Sequence, residues 1–208
     1  PLRLSYFGQC FRYEESKKGR YREFYQYGIE HIGASGPLVE AEVIALAIRM
    51  MQATGLQDWT VRIGHVGILR NILESLVFEG GRENPIEDAM RLLDKGDDDG
   101  FRRWYVENKS EDLHDGELGG IIDDCVHSFL DSKDFESARD FPLPESSKQA
   151  LSDFENTIGA IAALAPAPPK LEIDFTISRG LDYYTGMVFE IHVPSLRGES
   201  QVLGGGSY

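Results

Sequence analysis

The chain has 208 residues, of which 41% are hydrophobic and 11% are aromatic, and its formal net charge is -14. This composition allows a substantial buried interior and excludes a disordered chain. The acidic charge disfavours binding to nucleic acid or to an anionic membrane through the whole surface, although a local basic cleft can still hold phosphate.

The first predicted elements are two strands between residues 9 and 30, joined by a basic loop that contains glycine. Because side chains alternate between the two faces of a strand, polar and aromatic groups of both strands can line one cleft. These groups are Arg12, Glu14, Phe24, Gln26, Gly28 and Glu30. A glycine inside a strand often marks a place where a ligand approaches the backbone, so we expect an open slot at Gly28 between Gln26 and Glu30.

The loop between the strands carries four cationic side chains, Lys17, Lys18, Arg20 and Arg22. Guanidinium and ammonium groups suit phosphate oxygens, and the loop therefore predicts a binding site for a nucleoside triphosphate. The alternative is a hairpin tip with solvated charges, because short motifs of this kind often arise without a ligand.

Helices and strands are then predicted to alternate. Ser35 as a capping residue and Pro37 in the first turn predict a helix over 38–53 that Gly55 ends. A strand over 59–63 and a helix over 68–78 follow. Residues 79–165 are acidic, and their apolar residues recur at helical spacing over 86–93, 101–107, 118–130 and 147–164. We therefore expect a helical insertion there.

The proline-rich run over 165–169 predicts an extended connector, because proline is excluded from a helix interior. Strands over 171–177, 187–193 and 201–203 follow. Strands on both sides of a helical block predict an α+β fold, with an antiparallel sheet that carries helices on one side.

Two long motifs carry a resemblance to a known family. Phe-Arg-x-Glu, the basic loop and Gly-Arg-Tyr-Arg-Glu-Phe-x-Gln-x-Gly-x-Glu together resemble motif 2 of class II aminoacyl-tRNA synthetases, in the form peculiar to the histidyl-tRNA synthetase family. The run Arg-Gly-Leu-Asp-Tyr-Tyr-Thr-Gly over 179–186 resembles the histidine-specific signature of that family. A glycine run over 204–206 resembles its second signature, although Ser207 stands where many members have arginine.

The resemblance implies a class II catalytic core over 1–78 and 170–208, with a mainly antiparallel sheet flanked by helices, and a helical insertion with its connector over 79–169. It also implies ATP-dependent activation of histidine and transfer to tRNA(His) by a homodimeric full-length enzyme. The motifs that build the dimer and complete the ATP site are expected outside this chain, so we expect the isolated chain to be catalytically poor.

The resemblance assigns the ATP contacts and the catalytic cations. Arg12 is expected to hold the α-phosphate, Glu14 to contact the adenine end, and Phe24 to stack on adenine. Arg20 is expected to meet the distal phosphates, and Mg2+ to arrive with ATP. Arg12 and Arg179 are the predicted catalytic residues, because nucleotidyl transfer depends on positioning and on cations placed where negative charge develops.

For histidine, the resemblance implies that Glu30 and Tyr184 meet the imidazole and that Gln26 meets the α-amino group. Arg179 is expected between the substrate carboxylate and the α-phosphate. Simpler interpretations stay open: Arg12 and Glu14 can form a cross-strand ion pair, and Phe24 and Tyr184 can be ordinary core or sheet aromatics.

Three further hypotheses concern the function class, metal binding and the cellular environment. A histidine-sensing regulatory subunit of ATP phosphoribosyltransferase is the alternative, although a sensor has no need for an intact nucleotide site. The five histidines and two cysteines show no metal-ligand spacing, so no protein-bound metal is predicted. No run approaches the length of a membrane span and no signal pattern is present, which predicts a cytoplasmic protein.

Overall fold

The computed structural model describes residues 1–13, 21–76, 85–108, 128–168, 170–177, 183–196 and 200–208. Its strands are β1 (Leu2–Phe11), β2 (Glu23–Ile32), β3 (Thr60–His65), β4 (Lys170–Ile173), β5 (Met187–His192) and β6 (Gln201–Gly206). Its helices are α1 (Pro37–Ala53), α2 (Val66–Leu76), α3 (Pro85–Asp94), α4 (Asp98–Asn108), α5 (Phe135–Arg139) and α6 (Glu145–Leu164). This element order confirms the predicted α+β class.

Strands β1 and β2 form an antiparallel hairpin whose register runs from Leu2 opposite Ile32 to Phe11 opposite Glu23. The register places the even-numbered residues of both strands on one face, which we call the even face, and the odd-numbered residues on the odd face. Strand β1 ends at Phe11, one residue before Arg12. Pairing nevertheless continues, because the Arg12 backbone N–H donates to the Arg22 carbonyl at 2.9 Å.

The other four strands form a second sheet in the order β4-β3-β5-β6. Backbone bonds join Val193 to Ser200 and Ser207 to Met187, and because the two sequences run in opposite directions, β5 and β6 are antiparallel. The described strands therefore divide between two sheets, whereas the sequence predicted one. Val61 and Ile63 of β3 are fully buried, as expected for a central strand.

Helix α1 begins differently from the prediction. Its N-cap is Gly36 and not Ser35, and no side chain caps it. Gly36 has a φ of 103°, a conformation that serine adopts only with strain, which is why the glycine takes this position. Pro37 is the first helical residue, and Gly55 with a φ of 79° follows the last turn, as predicted.

The helical block agrees with the sequence pattern in most of its described parts. Helices α3 and α4 cover the predicted runs 86–93 and 101–107, and α6 covers 147–164. Most of the predicted helix over 118–130 lies outside the described residues. Helix α5 was not predicted. The Asp134 side chain caps it by accepting from the Ser137 backbone N–H at 2.8 Å, and this hydrogen bond lowers the pKa of Asp134.

The chain divides into two compact units. The first consists of Pro1–Val61, Asn156–Leu171 and Glu190–Gly204, and the second of Arg62–Glu155, Glu172–Phe189 and Gly205–Tyr208. In the first unit, Thr157 donates to the Glu40 carboxylate at 3.0 Å, which joins α6 to α1. In the second unit, Phe175 packs against Phe129 with ring centroids 4.7 Å apart. No described helix is both long and apolar enough to cross a membrane.

Candidate functional site

The even face of the hairpin holds four of the predicted ligand-binding positions. Phe24, Gln26, Gly28 and Glu30 all lie on it, in register with Cys10, Gly8, Tyr6 and Leu4 of β1. All four residues are half-buried. The alternation of side chains along β2 is therefore as predicted, and one surface of the hairpin carries the whole set.

Arg12 joins this face from just beyond β1. Its guanidinium carbon lies 5.1 Å from the centroid of the Phe24 ring, and its Nη2 donates to Gln26 Oε1 at 3.1 Å. A cation over an aromatic ring at an exposed site contributes about 0.5–1 kcal/mol. Phe24 is half-buried and faces a cation, so it is not an ordinary core residue. The structure thus brings a cation, an aromatic ring and an amide together.

Tyr6 is a member of this site that the sequence analysis missed. Its ring lies against Gly28 and occupies the space that a β-carbon at residue 28 would need. Its hydroxyl accepts a hydrogen bond from Gln26 Nε2. The slot predicted to be open at Gly28 is therefore filled by a tyrosine ring. The available signal was spacing, because Tyr6 precedes Arg12 by six residues and so points to the same face.

The odd face is tied to helix α1 at the far end of the hairpin. Arg3 donates to both carboxylate oxygens of Glu42, at 2.8 and 2.9 Å, and His31 Nδ1 lies 3.4 Å from Glu42 Oε2. The hydrogen bond from Arg3 lowers the pKa of Glu42 and raises the pKa of Arg3. These contacts place α1 against one end of the odd face, and Phe7 and Tyr25 farther along that face stay exposed.

Tyr184, in the second unit, packs against Gly206 of β6. Its ring is 7% exposed and lies beside Tyr183, with ring centroids 4.6 Å apart. A β-carbon at Gly206 would lie 2.8 Å from Tyr184 Cδ1 and 2.9 Å from the Met187 carbonyl oxygen. Because Gly206 has no side chain, the ring of Tyr184 can lie close to the backbone of β6. The Thr185 N–H also donates to the Ser207 carbonyl at 2.9 Å.

Backbone hydrogen bonds connect the end of β3 and the start of α2 to described residues on both sides of the range 178–182. The Asp174 N–H donates to the Ile63 carbonyl at 2.9 Å, and the Val66 N–H donates to the Gly186 carbonyl at 2.9 Å. The Asp174 carboxylate also accepts from Arg62, from the Thr176 N–H at 2.9 Å and from the Thr176 hydroxyl at 2.5 Å.

Three predicted site residues, Glu14, Arg20 and Arg179, lie outside the described residues. Tyr184 and Glu30 belong to different units, so their joint recognition of one ligand stays a prediction. Within the described ranges, no three His, Cys, Asp or Glu side chains are grouped closely enough to hold a metal ion.

Comparison with known proteins gives a consistent family. A family model described as histidyl-tRNA synthetase matches residues 1–208. The chain is 40% identical over 213 residues to a histidine–tRNA ligase of Archaeoglobus fulgidus and 38% identical over 208 residues to one of Methanoregula boonei. Each alignment covers 100% of this chain and 46% of the relative. The chain therefore spans about half the length of these relatives.

A solved structure from Bacillus halodurans has a similar fold. It is described as an ATP phosphoribosyltransferase regulatory subunit/histidyl-tRNA synthetase and matches with a TM-score of 0.78 at 28% identity. The match covers 99% of this chain and 51% of that one. Its description names both the synthetase and the regulatory subunit, so the fold by itself is compatible with both function classes.

Proposed function

Because the chain belongs to the histidyl-tRNA synthetase family, we propose that the whole protein activates histidine with ATP and transfers it to tRNA(His). The observation that carries the proposal is the position of the Arg12 guanidinium, over the Phe24 ring and bonded to Gln26 on one face of the hairpin. A nucleotide needs a cation for its phosphates and an aromatic ring for its base. An amino acid bound beside it needs a hydrogen-bonding group such as an amide.

The proposed reaction joins the histidine carboxylate to AMP. The carboxylate attacks the α-phosphorus of ATP in line, the bond from the α-phosphorus to the bridging oxygen breaks, and pyrophosphate leaves. No protein nucleophile is required, so positioning and charge stabilisation supply the catalysis. Arg12 is suited to this role because guanidinium carries five N–H donors, of which the bond to Gln26 uses one. Arg179 is the second proposed catalytic cation.

For ATP, the Phe24 ring offers the stacking surface for adenine. The ring now faces the Arg12 guanidinium, so we expect adenine to take this place while the guanidinium turns to the α-phosphate. Glu14 and Arg20 are proposed to contact the adenine end and the distal phosphates. Mg2+ is proposed to arrive with the ATP phosphates, where it would neutralise charge on the leaving pyrophosphate.

For histidine, the proposed contacts are Glu30 and Tyr184 with the imidazole, Gln26 with the α-amino group, and Arg179 with the carboxylate. Imidazole carries one donor and one acceptor nitrogen, which a carboxylate and a phenol can match. A site built from hydrogen-bonding groups rejects ligands that lack the partner atoms, because its own polar groups then stay unpaired. Such a site can select histidine among amino acids.

The proposal also covers the domain organisation of the chain, its partners and its location in the cell. Residues 1–78 and 170–208 would form the class II catalytic core, and 79–169 the helical insertion with its connector. The family supports tRNA(His) as a substrate, a second copy of the protein as the partner in a homodimer, and a cytoplasmic location. The regulatory subunit of ATP phosphoribosyltransferase is the second candidate function, because one similar structure carries that description.

Histidine binding tests the proposal directly. We expect calorimetry to show that Glu30→Ala weakens histidine binding roughly tenfold to hundredfold, because a hydrogen bond to a charged group contributes about 1.5–3 kcal/mol. Glu23→Ala is the matched control, since Glu23 is also in β2 but lies on the odd face. Equal affinities for the protein and its Glu30→Ala variant would contradict the assignment.

A further inference from the structure

The contact between Tyr6 and Gln26 on the even face suggests a function for a residue outside the family motifs described above. Gln26 is held at both ends of its amide. Its Oε1 accepts from Arg12 Nη2 at 3.1 Å, and its Nε2 donates to the Tyr6 hydroxyl. The amide of this β2 residue thus has two tethers, and both come from the β1 side of the hairpin.

The chemistry of the two partners sets the orientation of the amide. Arginine can only donate hydrogen bonds, so the amide oxygen of Gln26 must face Arg12. The amide nitrogen then faces Tyr6, whose hydroxyl oxygen can accept. In this orientation Oε1 keeps a second lone pair, which can accept from an ammonium group. A reversed amide would present N–H groups to the same ammonium and repel it.

The backbone provides the place for Tyr6. Its ring atoms Cε1 and Cζ and its hydroxyl oxygen occupy the space that a side chain at residue 28 would fill, and Gly28 lies directly opposite Tyr6 in the register. The missing side chain at Gly28 therefore lets the phenol lie flat across the neighbouring strand. From there its hydroxyl reaches the amide two residues away along β2.

We propose that Tyr6 is a positioning residue for amino-acid recognition, which holds the Gln26 amide so that Oε1 can accept from the α-ammonium group of histidine. The inference rests on the proposed function, in which Gln26 binds that group. It goes further by making the affinity for the α-ammonium depend on a hydroxyl that touches Gln26. Without this tether, the Gln26 side chain gains rotamer freedom that ligand binding must remove.

Tyr6→Phe is the direct test, because it keeps the ring on Gly28 and removes only the hydroxyl. We expect calorimetry to show a three- to tenfold weaker affinity for histidine, roughly the value of one hydrogen bond. The affinity for imidazolepropionate, which lacks the α-amino group, should stay within twofold. Tyr27→Phe is the control, since Tyr27 has a similar exposure, 46% against 43% for Tyr6, and lies on the odd face. It should bind both ligands as the unaltered protein does.

A double-mutant cycle separates positioning from a general structural effect. In a Gln26→Ala background, Tyr6→Phe should cause no further loss of histidine affinity, because the hydroxyl acts through the amide. Gly28→Ala provides a second variant. Its methyl group requires the Tyr6 ring to move, so it should weaken histidine binding in the same direction while the hydroxyl is retained.

The outcomes distinguish failure of this inference from failure of the proposed function. If Gln26→Ala weakens histidine binding but Tyr6→Phe does not, the inference is wrong and the proposed function stands. If Tyr6→Phe weakens histidine and imidazolepropionate equally, or adds its full loss in the Gln26→Ala background, Tyr6 does not act through Gln26 and the inference is also wrong. If Gln26→Ala leaves histidine affinity unchanged, the proposed role of Gln26 fails, and the inference fails with it.

Discussion

Asp174 shows how one residue can make stability depend on pH. Its side chain is buried, with the residue 6% exposed, and it accepts hydrogen bonds from Thr176 and Arg62. Burial alone raises the pKa of a carboxyl group. Here the hydrogen bonds from Thr176 and Arg62 outweigh burial and hold the pKa of Asp174 below its ordinary value of 3.8. The folded protein therefore favours the ionised carboxylate.

This shift predicts a loss of stability in acid. Below about pH 5 the unfolded chain begins to bind a proton at Asp174 that the folded protein does not, so the free energy of unfolding falls as the pH falls through 3.8 towards the folded pKa. Asp174→Asn should lower stability at neutral pH by about 1–3 kcal/mol, because Arg62 loses a close charged partner and keeps Glu172 at 3.9 Å. It should also flatten the acid slope.

Urea unfolding at several pH values measures both effects. Asp58→Asn is the control, because Asp58 is exposed, and it should leave the slope unchanged. An Asp174→Asn protein with the original acid slope would show that this carboxylate does not contribute to the pH dependence.

At the scale of an element, β6 depends on Gly206. A methyl group at Gly206 would approach both the Tyr184 ring and the Met187 carbonyl oxygen, and the carbonyl belongs to the backbone of β5 and moves little. We therefore expect Gly206→Ala to lower stability by about 1–3 kcal/mol and to displace Tyr184. Histidine affinity should fall with it, because Tyr184 is proposed to meet the imidazole. Urea unfolding and histidine calorimetry measure the two effects.

Gly159→Ala is the matched control, with an effect of opposite sign. Gly159 lies within α6, and a β-carbon there meets no atom within 4 Å. Alanine is favoured over glycine in a helix interior, so the substitution should raise stability by about 0.5–1 kcal/mol. A Gly206→Ala protein that is as stable as the original would contradict the packing argument for β6.

At the scale of the whole molecule, enzyme and regulator differ in one reaction. A synthetase forms histidyl-adenylate reversibly, so histidine should support exchange of pyrophosphate into ATP by the whole protein. A regulator would bind histidine without exchange. Arg12→Ala should lower the exchange turnover number roughly 100-fold or more, and KM much less, because the guanidinium acts mainly in the transition state. Steady-state exchange kinetics give both constants.

A raised KM with an unchanged turnover number for Arg12→Ala would place Arg12 in substrate binding alone. Histidine binding without detectable exchange would favour the regulatory function.

Several features of the fold and site could be predicted because they depend on neighbours in sequence. Alternation along β2 placed Phe24, Gln26 and Glu30 on one face without knowledge of any partner strand. Apolar spacing likewise predicted α3 and α4. The N-cap of α1 was wrong because the choice between Ser35 and Gly36 depends on the backbone conformation at the helix entrance, which residue type alone does not specify.

By itself, the sequence determined the family, through two ordered motifs, and the face on which each hairpin side chain lies, through the period of two that every strand obeys. Only the tertiary structure decided that Tyr6 fills the space at Gly28 and that Gly206 seats Tyr184. The reason is physical: each of these contacts joins residues that are distant in sequence, and strand register brings them together. The period of a strand specifies the face on which a side chain lies, whereas the register between strands specifies which residue lies beside it.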